Sequence, residues 1–372
     1  MHPLRTRSEA VSRSGLDRGE LHALVAAAET PLRCLRGASL LLTGATGWFG
    51  VWLLDTLCAA DDLLGLGLRI HAVSRAPARF LARFPPFARD PRIVWVAADV
   101  RALLPTAAGF SHVIHAATDT SAAPGGATAE QLYETIVEGT RRTLAAAGSR
   151  CQGFLYLSSG AVYGPLRHDQ TGFRETDAAT DVEPDYFAAR RASAAPDPAR
   201  TGSAYGRGKR AAEHLCTAAA ARGLPVRIAR CFAFVGPHMP FDRHFAIGNF
   251  IADAVAGRAI RVSGDGRPLR SYLYMTDLMR ALFLVLAAGR CGRAYNVGSD
   301  IAVSIAALAH CVDRNAGGAG VHIEGAASDP WDRYVPDTTR LQTELDFAAE
   351  VALEEAIVRT AAWLRGTEAR RT

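Results

Sequence analysis

The feature that most restricts the fold of this chain is a short apolar run that ends in glycine. Leu40-Leu41-Leu42-Thr43 leads directly into Gly44-Ala45-Thr46-Gly47-Trp48-Phe49-Gly50. A brief apolar segment bounded by glycine reads as a buried strand. The glycines then make a tight turn, and a helix follows over about 47–59. A strand delivered through glycines into the start of a helix is a cradle for a pyrophosphate. The unpaired N–H groups and the positive end of the helix dipole face the anion. Glycine is needed because a β-carbon would block the approach of backbone to phosphate.

The same punctuation recurs along the chain. Strands at 69–74, 93–97, 112–115, 153–158 and 226–234 alternate with helices at 129–147 and 205–221. That alternation predicts a parallel sheet with helices on both faces. After Pro237 the pattern changes to helices at 249–256, 277–288, 305–313 and 351–364, with short strands at 260–262, 271–274 and 295–297. The expected class is α/β. It is a Rossmann-type, doubly wound parallel sheet with a smaller mixed α/β C-terminal substrate domain. Residues 37–237 form the dinucleotide-binding part, with an insert at 165–204 and with 270–300 rejoining it. Residues 238–372 belong mostly to the substrate domain. Residues 1–36 read as an N-terminal extension, a surface arm with one short helix at 20–29. The Ala/Arg/Pro-rich stretch 190–200 reads as a mobile loop.

Composition narrows the functional classes. The chain has 372 residues, 49% of them hydrophobic, which is enough for a large core. No window approaches 18 consecutive apolar residues, so no membrane span is expected. The Arg- and Ser-rich start has no apolar segment of a secretory signal, so a cytoplasmic location is expected. A net charge of +5, scattered and without aromatic interleaving, argues against nucleic acid. The seven cysteines form no Cys-x-x-Cys pair, so they read as reduced, mostly buried thiols and suggest no metal site.

Further cofactor contacts fall at strand ends. Ser74 and Arg75 follow the second strand, where an NAD site places an acid for the ribose 2′-hydroxyl. A cation there suits a 2′-phosphate, so the pair favours NADP over NAD. Asp99, with Val100, can accept from an adenine amine. The small residues Ala116 and Ala117 let the sheet edge lie against a cofactor.

One residue carries unusual weight. Of the 42 basic residues, 41 are Arg and one is Lys209. It lies four residues after Tyr205, so on a helix the two share a face. A tyrosine hydroxyl titrates near 10 and is a poor base at neutral pH. Lowering it by about three units takes about 4 kcal/mol. A neighbouring ammonium in a partly dry site supplies much of that, and it can also hold the nicotinamide ribose. Ser159 could orient the reacting oxygen.

With these residues in hand, the chain resembles the extended short-chain dehydrogenases/reductases over about 37–364. The match is to their nucleotide-sugar epimerase/dehydratase/reductase branch. Gly44, Gly47 and Gly50 match its glycine signature, and Ser159, Tyr205 and Lys209 its catalytic set. The resemblance implies that Arg270, in the segment ending at Asp277, grips a nucleotide diphosphate. Arg333 is similar to a second diphosphate-binding arginine, and Asn249 to a substrate-contacting asparagine. The two arginines would converge on the pyrophosphate. The resemblance further implies an NAD(P) cofactor, a nucleotide-diphosphate sugar as substrate, and a homodimer through helices 129–147 and 205–221.

Two family asparagines are replaced, by Ile136 and Ala233. Where sugar-nucleotide 4,6-dehydratases carry acids after the catalytic Ser/Thr, this chain has Gly160 and Ala161. The expected reaction is therefore C4 epimerisation through a transient ketone, or reduction of a 4-keto sugar. Dehydration would need an Asp or Glu from 169–185. The alternatives are a dehydratase or decarboxylase, a reductase of a non-sugar carbonyl, and a non-catalytic NAD(P)-binding protein.

Overall fold

The computed structural model describes residues 11–105, 109–118, 128–164, 170–177, 203–241, 245–326 and 332–369. Seven strands make the central sheet: β1 (Ser39–Thr43), β2 (Arg69–Ser74), β3 (Ile93–Ala97), β4 (His112–His115), β5 (Gly153–Ser159), β6 (Val226–Cys231) and β7 (Ala294–Val297). Their order is β7-β6-β5-β4-β1-β2-β3, and every pairing is parallel. The order reverses between β1 and β4, where Thr43 is in register with both Val73 and His115. In doubly wound sheets the crevice at such a switch point takes the ligand.

Both faces are covered, as the unbroken apolar runs of the strands require. Leu40 and Leu42 point to one face, packed by helices 48–64 and 275–288. Leu41 points to the other, packed by helices 129–147 and 204–221. A third apolar cluster joins helices 246–255, 305–316 and 353–368 through Phe250, Ile251, Leu308, Val312 and Ile357. It lies in the region assigned from sequence to substrate binding.

The N-terminal segment corrects one expectation. Its described part is not a surface arm. Leu16, Leu21, Leu24, Val25, Leu32 and Leu35 are buried within the main core, where helix 18–27 packs against helices 48–64 and 275–288. The i, i+3, i+4 spacing of Leu21, Leu24 and Val25 supplies that apolar face. The 190–200 stretch, and most of the 165–204 insert, lie outside the described residues. The cysteines match the reading from sequence: all seven are free, and five of them are buried. No helix among the described residues is long and apolar enough to cross a membrane.

Candidate active site

The glycine turn meets the geometry of a dinucleotide cradle. Gly44 has φ +71°, and a β-carbon on it would come within 2.6 Å of the Ala116 carbonyl oxygen. A β-carbon on Gly50 would strike the Gly44 carbonyl. Packing thus explains these two glycines. At Gly47 the nearest atom to a β-carbon among the described residues would be the Gly44 carbonyl oxygen, 3.4 Å away, an ordinary contact. Gly47 caps helix 48–64, whose first N–H groups, on Trp48 and Phe49, open toward the turn. Their side chains turn to packing instead. Trp48 Nε1 donates to the Pro237 carbonyl at 2.8 Å, and the Phe49 ring meets Phe234 at 5.3 Å.

The remaining cofactor candidates line the same sheet edge. Thr46 Oγ1 and Ser74 Oγ are 2.9 Å apart, which ties the turn to the end of β2 beside Arg75. Asp99 caps the 3-10 turn before Val100, and both its oxygens take the Arg101 fork, which holds its carboxyl below the usual range. Ala117 N donates to Thr43 Oγ1 at 3.2 Å. Thr46, Ser74 and Ala117 lie together along the β1/β4 switch point, where such a crevice takes a ligand, while both Asp99 oxygens are taken by Arg101.

The catalytic candidates meet at the end of β5. Ser159 closes that strand, and its Oγ accepts from Ala161 N at 3.2 Å. Helix 204–221 packs against the turn that follows Ser159, which brings Tyr205 to that end of β5. Tyr205 and Lys209 lie in helix 204–221, begun by Ser203, whose Oγ accepts from Gly206 N. Glycines seat this helix: a β-carbon on Gly206 would strike the Ala161 carbonyl, and one on Gly208 would reach Ile136 at 3.0 Å. Ile136, in place of the family asparagine, is therefore an apolar helix–helix contact.

Lys209 is 3% exposed. Its Nζ donates to the Leu157 carbonyl at 2.7 Å and to Thr118 Oγ1 at 2.8 Å. It sits 5.0 Å from the Tyr156 ring and 5.7 Å from that of Tyr205. Burial pushes the ammonium down to about 8, partly offset by Cys231 and Glu213. Burial pushes Tyr205 up to about 12. This differs from the expectation that Lys209 makes the phenol acidic. The ammonium is bound to Leu157 and Thr118 and lies toward the ring, so desolvation of the phenol dominates.

Two charged residues of the site were not singled out in the sequence. Behind Lys209, Glu213 receives a two-point bond from Arg230 of β6, and accepts from Ser158 Oγ at 2.5 Å. Arg230 Nη1 donates to the Tyr163 hydroxyl at 2.9 Å, which donates to Asn296 Oδ1. Asn296 Nδ2 donates to the carbonyls of Phe173 and Asp337. The signals were present: an acid one turn after Lys209, and an arginine inside an apolar strand.

Substrate candidates occupy a small sheet of strands 269–270, 303–304 and 333–334. Arg270 is in register with Tyr334, and Arg333 with Leu269. By strand alternation the two arginines fall on opposite faces. Arg270 donates to Asp332 Oδ2 at 2.7 Å, and Arg333 to the Thr171 carbonyl at 2.8 Å. The expected convergence of both forks is therefore not preformed. Asn249, in helix 246–255, has a buried Oδ1 with no partner among the described residues. Asp277 accepts from the N–H groups of Glu350 and Val351, a structural role.

The acids of 169–185 that are described do not enter the site. Glu175 accepts from Asn296 N, and Asp177 from Arg174 N. Asp169, Asp181, Glu183 and Asp185 lie outside the described residues. Tyr334 is a further group beside this cluster: a β-carbon built on Gly160 would lie 2.5 Å from its hydroxyl oxygen.

The doubly wound sheet, the glycine cradle at its switch point and the Ser159/Tyr205/Lys209 cluster beside it define a dinucleotide-binding protein of the Rossmann class. The chain belongs to the NAD dependent epimerase/dehydratase family, whose model matches residues 40–298. It is 29% identical over 333 residues to a dTDP-glucose 4,6-dehydratase of Streptomyces griseus, covering 87% of this chain and 93% of that one. It is 26% identical to UDP-glucuronic acid decarboxylase 1 of Arabidopsis thaliana, covering 86% and 68%. Among solved structures, the fold is shared with the epimerase Mth375 of Methanothermobacter thermautotrophicus. There the TM-score is 0.72 at 20% identity, covering 92% of this chain and 97% of that one. It is also shared with the dTDP-glucose 4,6-dehydratase DesIV of Streptomyces venezuelae. That match has a TM-score of 0.70 at 23% identity, covering 89% and 98%.

Proposed function

We propose that this protein acts on a nucleotide-activated sugar, by C4 epimerisation through a transient 4-ketone or by reduction of a 4-keto sugar. The observation that carries the reading is that Ser159 at the end of β5 and the helix of Tyr205 and Lys209 come together: Lys209 Nζ lies 5.7 Å from the Tyr205 ring and donates to the carbonyl of Leu157, two residues before Ser159. A bound nicotinamide dinucleotide would supply the hydride chemistry. The chain's own residues handle the oxygen. Ser159 orients it, and Tyr205 passes or takes its proton. With the phenol held up at about 12, Tyr205 rests in the donating form, which suits return of a proton to a ketone oxygen. Arg270, Arg333 and Asn249 are proposed to bind the nucleotide side of the substrate. Ser74 and Arg75 at the end of β2 support NADP over NAD, and the pair of helices 129–147 and 204–221 is the proposed dimer contact.

Dehydration or decarboxylation is the second reading, favoured by the activities printed for the relatives. Against dehydration stand Gly160 and Ala161 after Ser159, where an acid would be needed to expel the C6 hydroxyl. Mass spectrometry of the cofactor released from the purified protein, followed by incubation with dTDP- and UDP-hexoses, with a dTDP-4-keto-6-deoxyhexose and NAD(P)H, and with UDP-glucuronic acid, tests the choice. Unchanged substrate mass with altered stereochemistry, or gain of two hydrogens, is the expected product. Loss of water or carbon dioxide would establish the second reading.

A further inference from the structure

We propose that Thr118 is a positioning residue of this site, whose hydroxyl oxygen, presented just past the end of β4, fixes the Lys209 ammonium in place. Thr118 adds to the reading above, on which its role rests, a residue outside the Ser159/Tyr205/Lys209 set.

The contact is built from both sides. Lys209 Nζ donates to Thr118 Oγ1 at 2.8 Å and to the Leu157 carbonyl at 2.7 Å. Leu157 lies in β5, Thr118 follows β4, and the two strands are paired. The ammonium thus staples the ends of neighbouring strands. Thr118 is itself held. Its hydroxyl donates to the Ala117 carbonyl at 2.8 Å, and the Ala117 N–H donates to Thr43 Oγ1 of β1 at 3.2 Å. A threonine hydroxyl has one proton, and here it is committed to Ala117, so toward the lysine the oxygen accepts.

The lysine stem is flexible, and the bond to Leu157 alone would leave the ammonium free to pivot. The second bond fixes it, 5.7 Å from the Tyr205 ring and 5.0 Å from that of Tyr156. The ionisable groups around it are His115 of β4, Tyr156 of β5, Cys231 of β6, and Tyr205, Glu213 and Cys216 of its own helix. Burial keeps the phenols, the thiols and the imidazole neutral. The Glu213 carboxylate is taken by Arg230. Among the described residues, Thr118 is therefore the side chain that meets the ammonium with a hydrogen bond. A bond accepted from the charged form favours that form, against the burial that brings the lysine down to about 8.

Lys209 is the only lysine of the chain, so isotopic labelling of lysine gives one side-chain nitrogen resonance, and its pH titration by NMR reads this group directly. Thr118→Val keeps the shape and removes the acceptor. The midpoint is expected to fall by about one pH unit or more. Thr118→Ala should give the same fall, and Thr118→Ser, which keeps the hydroxyl, should restore the parental midpoint to within about 0.3 units. In turnover of a dTDP- or UDP-hexose that the parent converts, the pH limb that follows Lys209 should move with the resonance. Midpoints of the Val and Ala variants within about 0.3 units of the parent, or an equal fall in Thr118→Ser, overturn the assignment. The titration needs no substrate. A parent that converts and binds none of these sugar nucleotides, with the expected shifts present, sinks the functional reading and leaves Thr118 as the anchor of Lys209. An active parent with unmoved midpoints sinks the role of Thr118 alone.

Discussion

The carboxylate of Glu213 and the guanidinium of Arg230 meet at 2.7 Å in the wall behind Tyr205 and Lys209, each side chain only 8% exposed. A buried pair of this kind contributes little over apolar residues of the same volume, but half of it is costly. Glu213→Ala or Arg230→Ala alone should lower stability by about 3–5 kcal/mol, because each leaves an uncompensated charge. Glu213→Leu with Arg230→Met should cost well under the sum of the singles. Urea unfolding of the four proteins decides it, and strictly additive losses would refute the coupling.

At Lys209 function and stability oppose each other. Its ammonium falls from an ordinary 10.5 to about 8 through burial. At 1.36 kcal/mol per pH unit, a charged lysine here costs about 3 kcal/mol at neutral pH. The sign follows from a lowered cationic pKa: stability rises as pH climbs through 8 toward 10.5, where only the unfolded chain still binds the proton. Lys209→Met should therefore raise the urea midpoint at pH 7 while abolishing turnover. Lys209→Arg keeps the charge but places a planar fork where one nitrogen meets Leu157 and Thr118, and should lose activity by about a hundredfold or more. A less stable Lys209→Met protein would contradict the burial argument.

The three glycines of the turn separate by cause. Gly44→Ala combines a φ of +71° with a collision at Ala116, so it should destabilise the fold. Gly47→Ala meets nothing closer than 3.4 Å and should leave the thermal midpoint within a degree or two of the parent. Its β-carbon would instead project where the pyrophosphate approaches, and dinucleotide affinity should drop at least about tenfold. Fluorescence titration with NADH and NADPH on both variants measures this. Parental affinity in Gly47→Ala would show that the phosphates lie elsewhere.

The sheet was legible because its strands are short, apolar and closed by glycine or charge, and each recurs at the spacing a helix needs. β2, β3 and β4 lie at the expected residues, and β1 and β5 within one of them. The cradle and the Ser159/Tyr205/Lys209 cluster were legible for the same reason: local spacing fixes them. What stayed hidden was non-local. Leu16 to Leu35 read as an arm because nothing local tells an exposed amphipathic helix from one that finds a partner two elements later. Tyr334 lies 175 residues beyond Ser159, and only the pairing of strand 333–334 with 269–270 brings it across the cleft. The Glu213–Arg230 pair joins a helix to a strand in the same way. Even the partner of Lys209 differed, since the reach of the ammonium toward Thr118 and Leu157 depends on β4 and β5 lying side by side.

Acid should weaken the fold through His115. This residue ends β4 inside the sheet, with Thr43 Oγ1 at 2.6 Å on one ring nitrogen and Thr140 Oγ1 at 3.1 Å on the other. Burial, aided by the Lys209 charge, pushes its pKa down to about 3. The folded protein therefore keeps the ring neutral, while the unfolded chain takes up a proton near 6.5. A lowered histidine pKa gives stability that is present above 6.5 and lost as pH falls from there toward 3. The loss is about 1.4 kcal/mol per pH unit, or about 2 kcal/mol at pH 5. His115→Gln keeps a donor and an acceptor between the two threonines and has no proton to gain. Its own stability at pH 7 should be lower than the parent's, since an amide fills less of the space against the Tyr156 ring, 5.5 Å away. Between pH 7 and pH 5, however, the gap between the two proteins should narrow by about 2 kcal/mol in urea denaturation. A constant gap across that range would mean that the His115 ring is already protonated in the fold, or that solvent reaches it between β1 and helix 129–147.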